Sequence, residues 1–236
     1  MTSTTTPLTG KNVLLVMAHP DDAELSSAGT VLKLNEQGYE VRYVVCSTGD
    51  KGTKDTAMPP FQLAAIREQE QKEAAAVLGV QRITFLRHPD GELDRIRGLR
   101  DEIALLIRNN RPDIIITHDP WRPYQIHPDH RAVGFAAADA VVYARDHLFL
   151  PALLELDLVP HAPLEIYFTF PASADHVVDI SAVMEKKLDA IAKHKSQLTQ
   201  MPGWRENIKL MASKQAEGQP FQYAEAFKRL VLTHQK

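Results

Sequence analysis

Val13-Leu14-Leu15-Val16-Met17-Ala18-His19-Pro20-Asp21-Asp22-Ala23-Glu24 is the stretch on which the fold turns. Its first half is continuously apolar, the pattern of a short strand covered on both faces. Its second half sets an imidazole beside two carboxylates where the strand gives way to a loop. Far along the chain the arrangement recurs: the apolar run Asp113-Ile114-Ile115-Ile116-Thr117 is followed, after a short connection, by His127-Pro128-Asp129-His130.

Between and beyond these stretches, strand and helix patterns alternate. A helix is expected from Asp22 to Gln37, with Leu25, Ala28, Val31, Leu32 and Leu34 on its apolar side and Gly38 as its stop. Strands follow at Val41 to Cys46, Arg82 to Leu86 and Asp113 to Thr117, separated by helices over Phe61 to Leu78 and Asp94 to Asn109. Further helices are expected over Ala132 to Ala144, from an N-cap at Ser181 to His194, and from Trp204 to Lys236. Further strands are expected at Leu164 to Phe170 and His176 to Ile180. This order predicts an α/β fold, a Rossmann-like three-layer sandwich with a mostly parallel sheet. In such sheets ligands sit beyond the carboxyl ends of the strands where strand order reverses. If strands 1 and 4 flank that reversal, both histidine clusters meet there. The segment 47–60 is long for a connection and is a candidate functional loop. Residues 1–10 read as a disordered tail, and 11–236 as a single domain without repeats.

Composition narrows the function classes. The 236 residues are 44% hydrophobic and 24% charged, ordinary for a globular chain. A net charge of −3 gives no support for nucleic acid or an anionic membrane as partner, since either would favour a basic patch. No apolar run approaches membrane-span length, and the polar N-terminus lacks the regions of a signal peptide. Cys46 has no partner for an intrachain disulfide and no glycosylation sequon occurs, so a cytoplasmic location is expected. A glycine fingerprint and a P-loop are both missing after strand 1, which disfavours dinucleotides and nucleoside triphosphates.

The two loops fit a catalytic zinc, which keeps about three His or carboxylate ligands and an open position. His19, Asp22 and His130 meet that requirement. Asp21 would lie beside the metal, placed to accept a proton from water whose pKa the metal has lowered. His127 could donate to an oxyanion or a leaving group. Asp129 is a candidate for fixing an imidazole tautomer from behind, and His118 a weaker one. The bland alternative is that Asp21 and Asp22 merely cap a helix, with Glu24 completing a capping box. That reading does not explain the second His-Pro-Asp pattern. Arg67 could clamp an anionic or hydroxyl group of a substrate or pair with a helix glutamate. Asp90 could bond sugar hydroxyls or form a turn with Gly91, and Trp121 and Tyr124 offer stacking faces. His194 reads as structural.

At these motifs the chain resembles the LmbE-like, or PIG-L, deacetylases. The Ala-His-Pro-Asp-Asp-x-Glu signature is met by Ala18 to Glu24 and the His-Pro-Asp-His signature by His127 to His130. Weaker echoes lie at Arg67, Glu70 and Glu73, at Asp90-Gly91, at His194 to Gln197 and at Tyr223 to Phe227. The resemblance implies a Zn²⁺-dependent N-deacetylase (with another divalent metal as an alternative) acting on a small N-acetylglucosamine-type conjugate. It implies one metal per chain on His19, Asp22 and His130, Asp21 as general base, and His127 as oxyanion partner and acid. Some thiol-cofactor enzymes of the family place a tyrosine just before the second loop; Tyr124 is the nearest candidate here. Members of the family are often homo-oligomers, which by analogy leaves a homo-oligomer open for this chain. The competing classes are a metal-dependent phosphoesterase, which needs a second ligand set, and a sugar-binding relative without turnover, which would have lost Asp21 or His127.

Overall fold

The structure is a computed structural model and describes residues 12–232. The expected tail at 1–10 lies outside the described residues. Seven strands form one sheet: β1 (Asn12–Met17), β2 (Glu40–Ser47), β3 (Arg82–His88), β4 (Ile114–His118), β5 (Glu165–Thr169), β6 (His176–Asp179) and β7 (Ala224–Val231). Their order is β3-β2-β1-β4-β5-β7-β6. β1 pairs in parallel with β2 and β4, β2 with β3, and β4 with β5, whereas β7 runs antiparallel to β5 and β6. The chain builds outward from β1 to β3, then returns to the other side of β1 to lay down β4. The reversal therefore falls between β1 and β4, as the sequence predicts.

The apolar run of β1 is covered on both faces. Val13, Leu15 and Met17 enter one core, with residues of helices α1 (Asp22–Glu36), α2 (Pro60–Leu78), α5 (Met184–Ile191) and α7 (Trp204–Gln215). Leu14, Val16 and Ala18 enter the other, with residues of α3 (Leu99–Asn110) and α4 (Pro128–Arg145). Two cores on alternating positions of one strand are what a three-layer sandwich requires. A short helix α6 (Lys195–Leu198) follows α5.

Four expectations need correction. The helix expected from Asp94 begins at Leu99, after a single 3-10 turn at Leu93–Arg95. The cause is Asp129, whose carboxylate accepts the Gly91 and Leu93 amides and pins that segment before a helix can start. The helix after the second loop starts at Pro128, not Ala132; proline at its first position fixes a helical φ. Ser181 does not cap the next helix, because its hydroxyl accepts the Gln222 and Tyr223 amides instead. A 3-10 turn at Ser181–Val183 comes first, and α5 ends at Ile191. Among the described residues none after Gln215 is helical, and Ala224–Val231 is a strand. Its helix-forming composition is overridden by pairing on both edges, with Phe227 in the core and Glu225 buried.

Candidate active site and metal centre

Four strand ends deliver the chemistry. β1 leads into His19, Asp21 and Asp22; β2 into Lys51 and Gly52; β3 into Asp90 and Gly91; β4 into His118 and, after a loop, His127 and His130. With Arg67 of α2 and Gln197 of α6, these residues, except His118, line a cleft of about 450 Å³, within the usual range for small-ligand sites. A larger concavity of about 720 Å³ runs along the β3 edge between Glu68 and Arg87. It holds none of the histidines.

Within the cleft the ligand atoms converge. His130 Nε2 lies 3.2 Å from His19 Nδ1. Asp22 approaches His19 Nδ1 at 3.3 Å through Oδ2 and His130 Nε2 at 3.4 Å through Oδ1. Ligands about 2.0–2.1 Å from a tetrahedral ion stand about 3.4 Å apart; the two imidazole nitrogens have about that spacing from each other, and each has it from a different Asp22 oxygen. Three overlapping sets also bring ligand atoms within 4.8 Å: His19, His127 and His130; Asp22, His118 and His130; His19, Asp90 and Asp129.

Hydrogen bonds discriminate among them. His118 Nε2 faces the Ala18 amide at 3.1 Å and must accept its proton, so its lone pair is occupied. Burial lowers the His118 pKa, which keeps that ring neutral. His19 turns Nε2 toward Asp129 at 3.1 Å and Asp90 at 3.2 Å, which leaves Nδ1 for the triad. Asp129 is fully buried and also accepts the Gly91 and Leu93 amides at 2.7 and 3.0 Å. Such a carboxylate behind an imidazole fixes its tautomer. Burial would lower the His19 pKa, but Asp129, Asp22 and Asp90 together raise it well above the ordinary value. Burial raises Asp90, yet His19 and the Lys51 amide bring it down to about 2. Asp21, Asp22, Asp90 and Asp129 crowd one centre, with Arg67 and the half-exposed Lys51 as the cations beside it. A divalent ion would balance that charge, and the donor set suits Zn²⁺.

Asp21 does not behave as a cap. It occupies the N-cap position of α1, but its side chain bonds none of the helix amides. Its Oδ2 instead accepts from Arg67 at 3.1 Å. Its φ of 111° is rare for a non-glycine residue. Burial raises the Asp21 pKa, with Arg67 opposing and Asp22 reinforcing. Arg67 is buried and also donates to Gly49 O at 2.8 Å and to Pro20 O. Gly49 and Gly52 admit it: a Cβ at either would meet the guanidinium at 2.5 Å. The helix-pair alternative for Arg67 is thus replaced by a bond to the loop and to Asp21.

His127 occupies the N-cap position of α4, with no side-chain cap bond, and stacks 4.7 Å from His130, with His19 edge-on at 4.6 Å. Burial and the neighbouring His19 and His130 lower its pKa. The two aromatic candidates stand apart from this centre. Trp121 packs edge-on against Phe135 and Phe168, and Tyr124 is 98% exposed; neither lines the cleft. The sequence reading left out Lys51 and Gln71, named Gln197 only as a weak family echo, and did not join Glu24 to His194, a buried pair at 3.1 Å. One signal was available: Gln71 lies one helical turn after Arg67 and so shares its face.

Comparison with known proteins follows the same lines. Residues 14–141 match the profile of the PIG-L family, described as GlcNAc-PI de-N-acetylase. A diacetylchitobiose deacetylase of Thermococcus kodakarensis is 40% identical, covering 79% of this chain and 70% of that protein. A probable N-acetyl-alpha-D-glucosaminyl L-malate deacetylase of Bacillus anthracis is 30% identical, covering 79% and 81%. The solved structure of N,N'-diacetylchitobiose deacetylase from Pyrococcus horikoshii, in complex with an inhibitor, superposes with a TM-score of 0.90. It is 34% identical and covers 94% of this chain and 85% of its own.

Proposed function

Since the chain belongs to the PIG-L family, we propose that it is a Zn²⁺-dependent hydrolase that removes the N-acetyl group from a small N-acetylglucosamine conjugate. The observation that carries this reading is the convergence of His19, Asp22 and His130, with contacts of 3.2, 3.3 and 3.4 Å among them, beside an Asp21 whose side chain caps no helix amide.

His19 Nδ1, His130 Nε2 and an Asp22 oxygen would hold the ion, with Asp129 orienting His19 from behind. When bound, Zn²⁺ supplies Lewis-acid polarisation of the acyl carbonyl and lowers the pKa of water toward neutrality. Asp21 takes the proton of the attacking water; its pKa, raised by burial, suits a base better than an ordinary carboxylate's would. Arg67 steadies the Asp21 carboxylate through Oδ2 and leaves Oδ1 with no partner among the described residues. His127 faces the cleft with its pKa lowered, and as a neutral imidazole it donates an N–H to the tetrahedral oxyanion. As the C–N bond breaks, the proton collected by Asp21 passes to the amine. The products are acetate and a free amino sugar.

No helix among the described residues is long and apolar enough to cross a membrane. We place the enzyme in the cytoplasm, a reading supported by its unpaired, buried Cys46.

Amine release from N-acetylglucosamine conjugates of varied aglycone is the test, on protein stripped by chelator and reloaded with Zn²⁺. Activity should vanish on stripping, return with Zn²⁺ and be lost in Asp21→Ala. Full turnover by the stripped protein, or wild-type turnover by Asp21→Ala, would defeat the mechanism. The grouping of His19, Asp90 and Asp129 gives the two-metal phosphoesterase its one foothold. Asp129 is already engaged by two amides, however, and a titration that saturates at one metal per chain removes that reading.

A further inference from the structure

Asp21 holds a left-handed backbone that a non-glycine residue keeps only where its surroundings over-determine it. In a capping box, the glutamate at the third helical position accepts the amide of the N-cap residue directly. Here Glu24 holds that position and Asp21 is the cap, but the two do not meet. The Gln71 carboxamide of α2 stands between them. Its Oε1 accepts the Asp21 amide at 2.9 Å, and its Nε2 donates to both Glu24 oxygens at 3.0 Å. His194 closes the chain on Glu24 Oε2 at 3.1 Å. Gln71, Glu24 and His194 are all buried, at 0, 0 and 1% exposure. The carboxamide can face only one way, because the reverse would set donor against donor at Asp21 and acceptor against carboxylate at Glu24.

We propose that Gln71 is a positioning residue for the general base: by holding the Asp21 amide, it fixes the backbone from which the carboxylate is aimed into the cleft. The inference rests on the reading of Asp21 as base. Arg67 restrains the carboxylate and the carbonyl before it, while the Leu25 amide holds the Asp21 carbonyl at 3.0 Å. Gln71 alone holds the remaining polar group, the amide. Because its hydrogen bonds go to Asp21 and Glu24 and to no candidate metal ligand, its loss should disturb base geometry without disturbing the ion.

The polarity of the bridge makes the idea testable. Gln71→Glu sets two carboxylates against each other, and Gln71→Leu removes the bridge. Gln71→Glu combined with Glu24→Gln keeps an acceptor on the Asp21 amide and restores one bond between the two side chains with donor and acceptor exchanged, leaving the new carboxamide oxygen to His194. Two quantities are read on Zn²⁺-loaded protein: exchange of the Asp21 amide, and kcat and KM alongside Zn²⁺ affinity. Both single Gln71 variants should exchange that amide faster and lose about tenfold or more in kcat, with KM and Zn²⁺ affinity within about twofold of wild type. The double variant should recover slow exchange and most of kcat. Unchanged exchange in Gln71→Leu would overturn the inference whether or not the wild type turns over. So would unchanged kcat beside an active wild type, a fall in Zn²⁺ affinity matching the fall in kcat, or a double variant as impaired as the singles. A wild type without deacetylase activity but with the expected exchange pattern would instead defeat the deacetylase reading and uphold the hold of Gln71 on Asp21.

Discussion

Replacing Asp129 with asparagine removes a charge from behind His19 while keeping the side chain's shape. Three donors converge on this carboxylate: His19 Nε2 at 3.1 Å, Gly91 N at 2.7 Å and Leu93 N at 3.0 Å. Asparagine has one acceptor oxygen. Its best placement keeps His19 and Gly91 on the oxygen and turns the amide NH₂ toward the Leu93 N–H, losing one bond and opposing two donors. At a fully buried site that costs about 1–3 kcal/mol of folding stability. The effect on the metal is separate. A neutral amide makes His19 a weaker base at Nδ1, and losing such an orienting partner typically lowers affinity by about 10–100-fold, or about 1.4–2.7 kcal/mol. Competition against a chromogenic chelator reads the second term, and denaturation of stripped protein reads the first. Asp129→Asn should lose both. Zn²⁺ affinity within about twofold of wild type in a folded variant would refute the claim that Asp129 acts through a ligating His19.

Three further outcomes follow from the packing and the charges. Lys187 and Glu225 form a buried pair at 2.6 Å, with Glu225 also accepting the Gly29 and Thr30 amides of α1. Lys187→Met should therefore cost about 3–5 kcal/mol in stripped protein, whereas adding Glu225→Gln should recover part of it, as a double-mutant cycle would show. Burial raises the Glu165 pKa, but Arg229 and Tyr167 hold it below the ordinary value. Its stabilisation is thus present above the unfolded value of about 4.3 and lost as pH falls through the folded one. Urea midpoints at pH 7 and pH 4 should differ less in Glu165→Gln than in wild type; an equal difference would show that the pair contributes nothing. Tyr124→Phe should leave kcat within about twofold, since the ring is exposed and off the cleft. A loss of about a hundredfold would mean that the 119–127 loop folds inward on substrate.

The sequence made the sheet legible where burial is two-sided. Val13 to Met17 and Ile114 to Ile116 are apolar at every position, and only strands between two layers demand that. It also made the convergence of the two loops legible, because strand order and helix alternation leave few places for a reversal. What it hid was set by contacts distant in the chain. β7 reads Ala-Glu-Ala-Phe-Lys-Arg-Leu-Val, good helix material on local propensity alone. Its character comes from β5 and β6 on its flanks and from Glu225 reaching α1. The late start of α3 likewise depends on Asp129, downstream of it in sequence. Arg67 was legible as a candidate but not its partner, since a helix arginine carries no sign of the loop that will wrap it.

Asp21 and Asp22 are chemically identical neighbours, and their different work is decided by what surrounds each. Burial pushes both carboxyl groups up. Around Asp22, the neighbouring imidazoles, His130 first among them, outweigh that and hold the acid well below its usual range, so it stays an anion suited to a cation. Around Asp21, Arg67 offsets burial only in part and Asp22 adds to it, so the group stays above the usual range and can take up a proton more readily. Environments that drive two like groups apart in this way are how a site assigns a ligand and a base. The backbone makes the separation possible. At φ 111° the chain swings Asp21 toward Arg67 while α1 begins at Asp22, and Asp22 Oδ2 accepts the His19 amide at 2.8 Å. A regular capping box would have turned Asp21 onto the helix amides and left the cleft without the base proposed for it. Interposing Gln71 satisfies the amide that Glu24 would otherwise have taken and leaves the Asp21 carboxylate directed at the cleft.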